Sequence, residues 1–143
     1  MKAKKLLAIF LFVAIIISGM ATTVYAASEA VPRSIYGETC IPSFSISNGV
    51  ATVRATYTTT SSAFTRITLK VTIQRKLWNL FWVSYDIGIP DNVWTETKTS
   101  SSGTFYNTFN IPDTGNYRCN FTIVFEGTGG TDTIEETINY SYN

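Results

Sequence analysis

One alternation runs through most of this chain: apolar and polar residues exchange places at every second position from Cys40 to the C-terminus. Successive side chains of an extended strand point to opposite faces, so a period of two commits the chain to half-buried strands. Cys40, Phe44 and Ile46 share one parity, with Ser43, Ser45 and Ser47 on the other. Asn48-Gly49 follows, the strongest short hairpin signal, since both residue types tolerate positive φ. Ala51, Val53, Ala55 and Tyr57 form the next apolar row, and a Thr/Ser loop spans 58–63. Ile67, Leu69, Val71 and Ile73 alternate with Thr68, Lys70, Thr72 and Gln74, and Arg75-Lys76 ends that strand. Trp82 to Ile87 reads as another strand, closed by Gly88 and Pro90. Val93–Thr99 is a short edge strand, 100–103 a turn, and 104–111 a strand that Pro112 stops. Tyr117, Cys119, Phe121, Ile123 and Phe125 make the clearest row. Gly127–Gly130 reads as a loose loop before Ile134, Ile138, Tyr140 and Tyr142 close the chain. Seven to eight short strands joined by turn residues predict an all-β antiparallel sandwich over 40–143, with a closed barrel as the alternative.

The first 26 residues read differently. Lys2, Lys4 and Lys5 precede an unbroken apolar run from Leu6 to Ile17, and Val24-Tyr25-Ala26 is a small-residue cleavage site. That is the anatomy of a signal peptide. A spanning helix needs ~20 apolar residues, more than this run supplies. Residues 27–39 are a polar lead-in. The signal takes three of the 11 basic residues and none of the 10 acids, leaving eight against ten, net −2. No basic stripe remains, so nucleic acid is not an expected partner, and no membrane partner is expected after cleavage. Export would carry Cys40 and Cys119 to an oxidising compartment, where an even pair commonly bridges. Such a bridge closes a long loop and would contribute roughly 4 kcal/mol on the chain-entropy model. Two free thiols are the alternative.

The run Asp113-Thr114-Gly115-Asn116-Tyr117-Arg118-Cys119 carries a sharper signal. Gly115 lets the backbone turn, and Tyr117 stands two residues before the cysteine, where its hydroxyl can bond back to upstream backbone. In this run the chain resembles the immunoglobulin-like sandwiches at the entry to their sixth strand, F. Lys70 to Arg75 resembles strand C of that class, with Ile73 where the buried tryptophan usually stands. A Cys40–Cys119 bridge would join strand A to F, which departs from the usual B-to-F bridge, since Val53 and Ala55 occupy strand B. Over its exported length the chain also resembles small secreted β-sandwich proteins of Gram-positive Firmicutes, known as domains of unknown function. The matching pieces are the signal, Phe44 to Gly49, Val71 to Lys76, and Gly115 to Cys119. That resemblance implies fold and location only.

Catalytic chemistry finds little footing. The chain has no histidine, which removes the commonest general base and the Ser–His and Cys–His nucleophile pairs. Glu135 and Glu136 are adjacent on a strand and point to opposite faces. Asp86 and Asp91 flank a Gly/Pro turn, but glycosidase carboxyls must be held ~5–9.5 Å apart in a cleft, and no cleft is indicated. Asp86, Asp91 and Asn92 offer calcium-type oxygens, yet Asp and Asn also favour turns for backbone reasons. No enzyme activity, metal or cofactor is expected. Asn120-Phe121-Thr122 and Asn139-Tyr140-Ser141 match the glycosylation sequon, with both Asn side chains on the solvent face by parity.

Trp78, Phe81, Trp82, Tyr85 and Trp94 form the one cluster that suggests a ligand. Exposed Trp and Tyr stack on sugar rings and anchor proteins. The competing reading is that the rings cap the core or fill cross-strand pairs. Trp82 is out of parity with Val83, Tyr85 and Ile87, so one set faces solvent. The chain is therefore expected to be a secreted, non-enzymatic binding module, outside the cell or in the cell wall, whose partner is an extracellular protein or a glycan. Self-association through the edge strand 134–142 is the rival expectation.

Overall fold

The computed structural model describes Tyr36 and residues 39–143; the expected signal peptide and most of the lead-in lie outside the described residues. Eight strands form two antiparallel sheets: β1 (Thr39–Ser47), β2 (Val50–Thr58), β3 (Phe64–Leu77), β4 (Phe81–Ser84), β5 (Trp94–Lys98), β6 (Ser102–Asn110), β7 (Gly115–Gly127) and β8 (Gly130–Tyr142). One sheet has the order β1-β2-β6, the other β4-β3-β7-β8, with β5 also on β3. The chain is thus the all-β sandwich that the alternation predicts. Pro42 is tolerated in β1 because that strand lies at a sheet edge.

The core is the meeting of the two alternating faces. From β3 come Ile67, Leu69, Val71 and Ile73, all fully buried. They lie directly across from Phe125, Ile123, Phe121 and Cys119 of β7. The opposing sheet supplies Ala51, Val53 and Ala55 from β2 and Phe105 from β6, equally buried. The small residues of β2 and the large rings of β7 belong to one buried cluster. At one flank β1 meets β8, where Phe44 stands edge-on to Tyr140 at 6.1 Å and the Tyr142 hydroxyl accepts from the Gly49 amide at 2.9 Å.

The corner before β7 forms as its residues predict. The Tyr117 hydroxyl donates to the Asp113 carbonyl at 2.7 Å. Arg75, from β3, adds a partner that sequence reading did not assign: Nη1 donates to the Asp113 carboxylate at 3.1 Å and Nη2 to the Thr114 carbonyl at 2.9 Å. Its guanidinium lies 5.8 Å from the Tyr117 ring centroid. Gly115 holds φ +152°, and a Cβ there would crowd Arg75 Nε at 3.2 Å.

Three expectations are corrected. Gly127–Gly130 is not a loose loop: the two glycines pair across a two-residue turn, and β7 and β8 run into it unbroken. Tyr36, in the lead-in, is buried and donates to the Gly130 carbonyl at 2.5 Å. Gly127 is confined to glycine for the same reason, since a Cβ would run into the Ala63 carbonyl and the Tyr36 ring. The strand expected over 82–87 is only Phe81–Ser84, because the chain then leaves β3 for a 3-10 turn at Pro90–Asn92. Finally, Cys40 and Cys119 are not bridged; both are buried free thiols. Cys40 lies on the outer strand β1 within the field of Glu136 on β8, whereas Cys119 lies on β7 between Ile73 and Ile138. The two thiols stand on strands of different sheets, β1 and β7.

Three outcomes follow from this packing. Tyr117→Phe should cost about 1–2 kcal/mol in denaturant unfolding, because it leaves the Asp113 carbonyl without its donor in a half-buried corner. Burial, and then the charge of Glu136, pushes the Cys40 thiol up to about 12, and burial raises Cys119 as well. Such groups resist ionising in the fold but ionise in the unfolded chain from about pH 8.5. Stability should therefore fall as pH rises through that value, and Cys119→Ala should reduce the alkaline slope. Neither thiol should react with a maleimide until the protein is unfolded.

Candidate functional site

The five-stranded sheet is longer than the sheet it covers. β3 runs for 14 residues, whereas β1, β2 and β6 have nine each. At its C-terminal end β3 therefore overhangs, and with β4 it forms a hairpin that no sheet of the described residues faces. Leu77, Phe81 and Val83 keep the inward parity of Ile73 but are exposed there. At the tip, Trp78, Leu80 and Phe81 are 82%, 71% and 58% exposed. Turns are ordinarily built from Gly, Asn, Asp, Ser and Pro, so three large apolar side chains here are unusual.

The turn itself is strained. Trp78 and Asn79 both have positive φ, 48° and 56°, and the Leu80 amide closes the turn on the Leu77 carbonyl at 2.9 Å. Asn79 suits that conformation; a tryptophan does not, and its Cβ crowds the following carbonyl. The fold alone would be better served by Gly or Asn at 78.

The outer face of the same sheet is polar. Arg118 Nε donates to Gln74 Oε1 at 2.6 Å, Asn120 Nδ2 to Thr72 Oγ1 at 3.3 Å, and Thr137 Oγ1 to Asn120 Oδ1 at 2.9 Å. Ser141 Oγ donates to Asn116 Oδ1 at 2.6 Å, and Asn116 Nδ2 reaches Asn79 at 3.4 Å. Where this face meets the hairpin, Lys76, Trp82, Asn116, Asn139 and Ser141 line an open groove of about 430 Å³. Trp82 pairs across the hairpin with Lys76. Its ring is half-buried beneath two cations, Arg118 Cζ at 4.6 Å and Lys76 Nζ at 5.6 Å from the centroid. Among the described residues neither cation has an ion-pair partner.

The structure thus divides the aromatic cluster. Trp78 and Phe81 stand in solvent at the tip, and Trp82 lies on the outer face. Tyr85 is turned inward, edge-on to Tyr117 at 5.6 Å. Trp94 pairs with the buried Val71 and stands edge-on to Phe109 at 6.1 Å. Trp82 and Trp94 therefore face opposite sides of one sheet and cannot form a shared platform. Leu77, Leu80 and Val83 were missed as surface residues, although apolar residues on both sides of a turn Asn were a legible sign. Asp86 and Asn92 serve the backbone: they accept from the Gly88 amide at 2.9 Å and the Ile87 amide at 3.2 Å. No protein-family model and no curated protein sequence matches the chain.

The conformation of Trp78 is open to a direct check. Trp78→Asn should raise the stability of the purified protein by about 1 kcal/mol, since it relieves the left-handed strain and removes no buried contact. A loss of stability on that change would mean that the ring supports the fold.

Proposed function

We propose that this protein is a secreted, non-enzymatic binding module of the immunoglobulin-like class, which works outside the cell or at its surface. The class is supported by the division β1-β2-β6 against β4-β3-β7-β8, by the Tyr117 corner and by Ile73 at the centre of β3. Export is supported by the signal-like first 26 residues. The observation that carries the binding reading is the hairpin tip: large apolar side chains held in water, one of them in a conformation costly to the fold. Strain of this kind collects where function requires a particular side chain. A compact apolar surface rimmed by polar residues is the usual form of a contact site.

A second reading is self-association through β8, whose 13 residues form one edge of the larger sheet. Edges of this length pair readily with another chain unless charge or cover prevents it. A glycan platform is less supported, because Trp82 lies under Arg118 and Lys76 while Trp94 faces the core.

Co-sedimentation of the exported protein with intact Gram-positive cells and with isolated walls tests the leading reading. Trp78→Ser combined with Phe81→Ser should weaken binding at least about tenfold, as loss of hot-spot side chains does, while the unfolding midpoint is kept. Unchanged binding by that variant would remove the hairpin from the contact. A monomer–dimer equilibrium abolished by Thr137→Pro in β8 would favour the second reading.

A further inference from the structure

The hairpin end carries two chemistries side by side, and we propose that together they fit an anionic lipid surface, which the tip enters peripherally. The proposal rests on the binding reading above and names the partner. Trp78, Leu80 and Phe81 form the projecting end, and the only polar side chain between them is that of Asn79. Tryptophan and phenylalanine with leucine are the residues that bury themselves at the boundary of headgroups and acyl chains. The turn suits that boundary, because the Leu80 amide is already satisfied by the Leu77 carbonyl and needs no water.

The cations stand behind the tip. Lys76 precedes Trp78 by two residues, and a strand advances about 3.3 Å per residue, so Lys76 lies about 7 Å back along the hairpin. Apolar side chains of interfacial elements sink about 5–10 Å, which would bring Lys76 level with the phosphates. Arg118 shares its place over Trp82. Neither has a carboxylate partner among the described residues, and the nearby acid, Asp113, is engaged by Arg75. The groove beside them is lined by amides and hydroxyls that can bond to headgroup oxygens.

A protein partner fits less well. A standard protein interface uses about 20–30 residues a side and a shaped socket, whereas this tip offers a few side chains on a convex turn. A bilayer needs no socket. No membrane partner was expected after cleavage of the signal, and the exposed apolar tip with its cations is the observation that points the other way. Among the described residues no helix is long and apolar enough to cross a membrane, and peripheral insertion requires none.

The test uses protein recovered from culture medium, with sedimenting vesicles of phosphatidylcholine alone and of phosphatidylcholine mixed with phosphatidylglycerol. The wild type should partition onto the mixed vesicles, with a blue shift of tryptophan emission that Trp78→Ser removes. Trp78→Ser with Phe81→Ser should weaken partitioning at least about tenfold. Lys76→Gln should weaken it about fivefold, and raised salt should mimic that change. Failure to bind either vesicle, indifference to phosphatidylglycerol, or binding unaffected by the tip variant would each overturn the proposal. If vesicles are ignored while cells are still bound through the tip, a protein partner is indicated and the binding reading survives. If neither is bound, both fail.

Discussion

The antiparallel pairing of β3 with β7 is the contact on which the rest of this structure depends. It sets Ile67, Leu69, Val71 and Ile73 against Phe125, Ile123, Phe121 and Cys119, and every one of these side chains is essentially removed from water. Full burial of a Val, Leu, Ile or Phe side chain contributes about 1.5–3 kcal/mol, so this double row is the main apolar store of the domain. A slip of one residue would turn the whole row outward, and for that reason the register is strongly specified. Everything else is placed relative to it. β8 and β5 hang on its two sides, and the smaller sheet closes its inner face.

The same pair also creates the candidate site. β3 needs its length to reach the corner at Asp113, where Arg75 binds the carboxylate and the turn carbonyl and the Tyr117 hydroxyl secures the backbone. Once the strand has reached that corner, it has outrun the nine-residue strands that face it. The residues beyond still alternate as though a core awaited them, but among the described residues Leu77 and Phe81 remain partly open to solvent. An apolar hairpin in water is thus a consequence of one strand being longer than its counterpart. The half-buried Trp82 on the opposite face draws Arg118 and Lys76 together, and this gives the hairpin a charged side as well as an apolar one.

Much of this was legible in sequence. The rows of alternating residues marked seven of the eight strands closely, since a period of two has a single structural meaning when one face is buried. The corner was readable from Gly115, Tyr117 and their spacing. The short β4 was read too long, because Tyr85 and Ile87 keep the inward parity although the chain has left the sheet. The hairpin at Gly127 was read as loose because glycines signal freedom in sequence; here Gly127 is required by the close approach of Ala63 and Tyr36. The two cysteines looked like a pair because pairing is a matter of compartment and number in sequence, while in the fold they sit as free thiols on strands of different sheets. The tryptophans were grouped by nearness along the chain, which does not say on which face each will fall.

The sequence by itself determined that this chain forms strands, how its inward and outward residues divide, and that Asn48-Gly49 turns between the first two of them. These are local properties, fixed by side-chain alternation and backbone preference within a few residues. Only the tertiary structure decided that Cys40 and Cys119 stay unbridged, that Arg75 completes the Tyr117 corner, and that Trp78, Leu80 and Phe81 stand in water while Trp94 does not. Each of those outcomes depends on which strand lies opposite which and on where a facing sheet ends. No window of neighbouring residues contains that information, because burial is a property of the surroundings and not of the side chain.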